Sequence, residues 1–248
     1  MVICMRDFKV ETEKRVEFIR SQLKEAGAAG IVFGNSGGKD SALVGVLCKM
    51  ACEDTVGLIM PCTSKCNYGE DMSDALMLSK LFRIEKRMVD LTKTADAIKK
   101  ALKNATEITT SADTNIAPRL RMTALYAVAA SEGRLVAGTG NKSERHMGYF
   151  TKWGDGAFDF NPIADLTVTE IYKFLVYLDV PKRIIDKAPS AGLYDGQTDE
   201  GEMGVTYKAI DEYLNSGVCD PEDMKIIENY HKVSAHKRIP PIVYEDRG

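Results

Sequence analysis

Residues 30–48 read GIVFGNSGGKDSALVGVLC. Three apolar residues, Ile31 to Phe33, enter a glycine-rich turn, and an apolar-periodic segment leaves it from Ser41. A short apolar run closed by glycine reads as a buried strand, and the segment after the turn reads as a helix. Working outward, the same alternation recurs. TVGLIM (55–60), IEKRMVDL (84–91) and RLVAG (134–138) are strand candidates. GEDMSDALMLSKLF (69–82), TKTADAIKKALKN (92–104) and NIAPRLRMTALYAVAAS (115–131) are helix candidates, the second opened by a threonine cap. Upstream, Val16, Ile19 and Leu23 fall at helical spacing, and Gly27 ends that segment. The pattern predicts an α/β fold, a doubly wound, Rossmann-like parallel sheet with helices on both faces.

Beyond Thr139 the texture changes. Residues 138–166 and 188–204 are rich in glycine and polar groups and show little periodicity, which predicts functional loops. Between them, Thr167 and Glu170 stand at capping-box spacing and open a helix. With no repeat and no linker, residues 1–248 are expected to form one domain.

The turn itself fails two nucleotide-binding patterns. A Walker loop encloses four residues between its glycines and follows lysine with serine or threonine. Here Gly34 and Gly38 enclose three, and Asp40 follows Lys39. GTGNKS at 138–143 lacks the third glycine of a dinucleotide fingerprint. The physics still favours an anion: a strand ends, Ser36, Gly37 and Gly38 turn the chain, and freed N–H groups meet a helix dipole near Ser41. An acid in such a pocket repels phosphate unless a cation lies between, so Asp40 suggests Mg²⁺. An ordinary strand–turn–helix junction with a solvated Asp40 fits the spacing equally well.

Composition narrows the function classes. The 36 acids and 33 bases give a net charge of −3, which does not favour a nucleic-acid partner. No apolar run is long enough for a membrane helix, and the N-terminus turns charged too early for a signal peptide, so a cytoplasmic protein is expected. The cysteine pairs Cys48/Cys52 and Cys62/Cys66 have looser spacing than zinc sites usually show, and the first lies in an apolar helix, where thiols pack as small hydrophobes.

SGGKDS at 36–41 resembles the signature of the ATP pyrophosphatase superfamily. Further segments then follow in order: APRLRMTALY (117–126), GTGNKSE (138–144), GYFTKWGDGAFDFNPIADL (148–166), KAPSAGLYDGQTDE (187–200), GVTYKAIDEYL (204–214) and AHKRIPP (235–241). Together they resemble the NAD synthetase family from roughly residue 10 to 241. The resemblance implies an adenine nucleotide alpha hydrolase-like fold. It implies a ligase that amidates deamido-NAD with ammonia through an acyl-adenylate, releasing AMP and pyrophosphate. ATP is the co-substrate and Mg²⁺ the cofactor.

Residue by residue, the resemblance assigns Gly34, Asn35, Ser36, Gly37, Gly38, Lys39, Asp40 and Ser41 to ATP, with Thr139 and Ser190. Asp40 and Glu144 match Mg²⁺ ligands. Arg119, Tyr126, Tyr149, Lys152, Asp159, His236 and Lys237 match deamido-NAD contacts, Lys152 and Asp159 nearest the reacting nicotinate. Family members are homodimers with that site between the chains. Glutamine-using relatives carry an added amidase domain, which is not expected here, and the loop at 194–204 is expected to close over the site.

Two positions depart from the family. Asn35 stands where an apolar residue is usual, and Val168 stands where many members carry a phosphate-contacting lysine. Lys39 either supplies that missing cation or points into solvent. Rival readings are an adenylating enzyme acting on a tRNA base and a nucleotide-binding relative without catalysis.

Overall fold

A computed structural model of the chain describes residues 6–62, 64–187, 189–190 and 198–244. Cys4, the Cys66 side chain and residues 194–197 of the expected closing loop lie outside the described residues.

The elements run α1 (Phe8–Ala26), β1 (Gly30–Gly34), α2 (Lys39–Ala51), β2 (Thr55–Ile59), α3 (Lys65–Tyr68), α4 (Glu70–Leu81) and β3 (Glu85–Met88). There follow α5 (Thr92–Leu102), α6 (Thr110–Thr114), α7 (Ile116–Glu132), β4 (Arg134–Ala137), α8 (Lys142–Met147) and α9 (Val168–Tyr177). The chain closes with α10 (Lys182–Ile185), α11 (Asp199–Met203), α12 (Tyr207–Ser216) and α13 (Pro221–Val233).

The strands form one sheet in the order β3-β2-β1-β4. Every neighbouring pair is parallel, with Val32 opposite both Val56 and Val136. This is the doubly wound arrangement the alternation predicts. The period-two pleat of β1 explains its unbroken apolar run. Ile31 and Phe33 pack on one face with Ile19, Leu43, Leu47 and Phe174. Val32 packs on the other with Val56, Leu58, Ala129 and Val136. Helices therefore cover both faces of the strand. A third apolar cluster, with Met147, Val168, Met203, Tyr207, Ile210 and Ile227, holds the C-terminal helices together.

Several local expectations need correction. The third strand is shorter than 84–91 and lies at the sheet edge, so most of its side chains are exposed. Helix α5 is not opened by a threonine cap. Leu91 is the N-cap residue, and the Asp90 carboxylate accepts from the Thr92 N–H at 2.9 Å. The stretches read as loops at 138–166 and 188–204 contain α8 and α11.

Candidate active site

Sheet order determines where a ligand belongs. From β1 the chain moves outward to β2 and β3, then returns to place β4 on the other side of β1. The reversal opens a crevice beyond the carboxyl ends of β1 and β4, the usual ligand position in open α/β sheets. A cavity of about 750 Å³ lies there.

The 34–41 turn forms one wall. Gly37 adopts φ +76°, and a Cβ on it would lie 2.2 Å from the Asp71 carbonyl oxygen of α4, so this position requires glycine. Asn35 is buried, yet its amide is satisfied. It donates to the Ala75 carbonyl and the Ser79 hydroxyl, each at 3.1 Å. That pairing accounts for a polar residue in so buried a position. Helix α2 starts at Lys39, and its Gly38 cap places no side chain on the first N–H groups. Those donors and the helix dipole suit phosphate. The Ser36 and Ser41 hydroxyls lie 3.1 Å apart beside them.

Behind this wall sits a cluster of charge. Lys39 is buried, not solvated; its Nζ lies 2.9 Å from an Asp40 carboxylate oxygen and 5.5 Å from the Tyr207 ring centroid. Burial disfavours the ammonium, but Asp40 and Glu144 outweigh it and hold its pKa above the ordinary lysine value. Burial, followed by the Asp40 charge, pushes the Glu144 carboxyl well above the usual carboxylate range, with Lys39 opposing. A buried carboxyl raised by a second acid beside it fits a divalent cation. No group of three or more His, Cys, Asp or Glu is arranged to hold a metal among the described residues. A cation here would thus take Asp40, Glu144 and substrate oxygens, as Mg²⁺ commonly does. Val168 is buried among apolar side chains, so no cation comes from that position.

The cavity lining includes Gly34, Asn35, Ser36, Gly38, Lys39, Asp40, Ser41, Thr139, Glu144, Tyr149, Ser190, His236 and Lys237. Arg119, Tyr126, Lys152 and Asp159 are not part of that lining. They form a second, outer group. The Tyr126 hydroxyl donates to Asp159 at 3.1 Å, and the Val136 N–H donates to the other Asp159 oxygen at 2.7 Å. Burial and then Asp159 push the Tyr126 hydroxyl up to about 12. Lys152 Nζ donates to the His236 carbonyl at 2.7 Å, linking this group to the cavity mouth. At that mouth, Lys237 donates to the Gly148 and Phe150 carbonyls, each at 2.7 Å. Tyr149 hydrogen-bonds Glu202.

Sequence reasoning missed a polar chain across the cavity floor. Lys187 Nζ bonds Asp71 at 2.5 Å, Asn67 donates to Asp71 at 3.1 Å, and Arg121 donates to Asn67 at 2.9 Å. It also missed Asn141. The N-x-x-E spacing inside GTGNKSE was a legible capping box, and the structure forms it.

A turn whose geometry suits phosphate, at a topological switch point with two acids behind it, is the arrangement of a nucleotide-using α/β enzyme. The chain belongs to the NAD synthase family, whose model matches residues 11–241. An NH3-dependent NAD+ synthetase of Carboxydothermus hydrogenoformans is 48% identical over 95% of this chain and 98% of its own length. The structure of an NMN synthetase from Francisella tularensis superposes with a TM-score of 0.91 at 38% identity, over 96% of this chain and 99% of that one. An NH3-dependent NAD synthetase from Campylobacter jejuni gives 0.79 at 34% identity, over 97% and 100%. No helix of the described residues is long and apolar enough to cross a membrane.

Proposed function

We infer that the chain joins ammonia to the nicotinate carboxyl of deamido-NAD at the expense of ATP. The observation that carries this reading is the 34–41 turn with Asp40 and Glu144 behind it, in a chain matched along its length by ammonia-dependent relatives. A carboxylate is a poor acyl donor, so its oxygen first attacks the α phosphorus of ATP. The bond to the β phosphate breaks and pyrophosphate leaves. Ammonia then attacks the acyl carbon, AMP departs with the bonding electrons, and the amide loses its extra proton to solvent.

The turn residues and the N-terminus of α2 hold the departing pyrophosphate. Asp40 and Glu144 would hold Mg²⁺, which supplies charge neutralisation at the phosphates. Thr139 and Ser190 contribute hydroxyls on the ATP side. Lys39 provides a cation at the phosphates in place of the lysine absent at Val168, and charge-assisted contacts of this kind are strong. Arg119, Tyr126, Tyr149, Lys152, Asp159, His236 and Lys237 receive deamido-NAD. The outer position and exposure of Arg119 and Asp159 support a site completed by a second copy in a homodimer. The chain works as one synthetase domain fed by free ammonia, in the cytoplasm.

The purified protein is given ATP, Mg²⁺, ammonium and deamido-NAD. NAD and AMP are expected in equal amounts, and pyrophosphate release that requires tRNA instead would overturn the reading. The closer superposition on the Francisella NMN synthetase favours one second reading, amidation of nicotinate mononucleotide. A higher kcat/KM for the mononucleotide in the same assay decides for it.

A further inference from the structure

Asp40 and Glu144 come from different helices, 104 positions apart in sequence, yet one buried residue touches both. Asn141 is fully buried. Its side-chain amide donates to Asp40 Oδ1 at 3.0 Å. Its backbone N–H donates to Glu144 Oε2 at 3.0 Å. Its side-chain oxygen accepts from the Glu144 N–H at 2.9 Å. The orientation of the amide is chemically forced. The oxygen must face the Glu144 N–H, which only donates, so the NH₂ faces an Asp40 carboxylate, which only accepts. Asp40 is then held at both oxygens, by Asn141 on one and Lys39 on the other.

We propose that Asn141 is the positioning residue of the cation site, setting the distance and orientation of Asp40 relative to Glu144. This rests on the reading of those two acids as metal ligands. Two carboxylates this close repel, and the bond from Asn141 to Asp40 ties α2 to the first turn of α8 against that repulsion. Outer groups that orient metal ligands in this way typically change metal affinity 10–100-fold when removed.

Asn141→Ser separates this role from helix capping. Serine keeps an oxygen for the Glu144 N–H, as a good cap should, and loses the amide that reaches Asp40. Mn²⁺ binding is measured by electron paramagnetic resonance with an α,β-methylene analogue of ATP, for wild type, Asn141→Ser and Asp40→Asn. Asn141→Ser is expected to weaken Mn²⁺ about tenfold or more and to raise the Mg²⁺ requirement of the reaction to match. Its KM for deamido-NAD stays near wild type. Wild-type Mn²⁺ affinity in Asn141→Ser, with affinity lost in Asp40→Asn, overturns the proposal alone. Unchanged affinity in Asp40→Asn overturns the metal reading and the proposal with it. Wild type provides a test without any variant. In ¹⁵N-labelled protein, the Asn141 side-chain amide signal should broaden with Mn²⁺ at the concentration that saturates the site, and no broadening there also overturns the proposal.

Discussion

The inner and outer parts of the site are built on opposite plans. Around the 34–41 turn, Lys39, Asp40, Asn141 and Glu144 satisfy one another inside a single chain, in surroundings that raise the pKa values of Lys39 and Glu144. In the outer group, Arg119 and Asp159 are exposed, and Trp153 beside them is 52% exposed with φ +62°. The inner part is buried and satisfied within the chain, whereas the outer part leaves Arg119, Trp153 and Asp159 exposed. The difference predicts where substitution should act on ATP chemistry and where on the acceptor substrate.

The largest expected effect is at Asp40. Asp40→Asn keeps the side-chain shape but removes a metal-facing charge and one of its two acceptor oxygens, so kcat for pyrophosphate release should fall at least about 100-fold. Circular dichroism should remain native. Lys39→Met should follow, raising the KM for ATP roughly 10–100-fold by loss of a charge-assisted contact. The KM for deamido-NAD should move little. ATP affinity and turnover near wild type in Lys39→Met would end the idea that Lys39 stands in for the cation missing at Val168.

Arg119→Ala reverses the pattern. It should raise the KM for deamido-NAD about tenfold and leave single-turnover ATP binding unchanged, because it lies outside the cavity lining. A matching shift in ATP affinity would break the division between the two parts. The smallest effect belongs to Tyr126. Its hydroxyl titrates near 10 when unfolded and about 12 when folded. Its contribution to stability is therefore present below about pH 10 and lost as pH rises through about 12. Tyr126→Phe should flatten the loss of unfolding free energy across that window, measured by urea denaturation, by no more than about 0.5–1 kcal/mol for a half-buried hydrogen bond.

The parts of this division were unequally legible in the sequence. The apolar run at Ile31 to Phe33 is continuous because both faces of β1 are covered, so it stands out whatever the tertiary detail. Gly37 and Asp40 were legible because a turn and an acid have local chemistry of their own. The direction of Lys39 was not. It depends on Tyr207, which arrives from a helix far along the chain, and no local pattern encodes that meeting. Helix α8 was missed because its six residues make fewer than two turns, too few for periodicity to register, and its clearest mark is the cap at Asn141. Thr92 misled because it is already the first residue of α5, and its N–H is taken by the Asp90 carboxylate two positions earlier. At Val168 the family resemblance implies a missing charge, and only the packing shows an apolar cluster in its place.

The ammonium of Lys39 beside Asp40 also bears on how this protein matures. Many ion-binding centres stay unfolded until their metal arrives, because like charges cannot be gathered without it. Here the polypeptide carries its own neutralising charge to that point, so the turn is expected to assemble without divalent ions. Stripping such ions from the finished protein should silence it without unfolding it. A chain carrying Lys39→Met should instead become more heat-stable as Mg²⁺ is added.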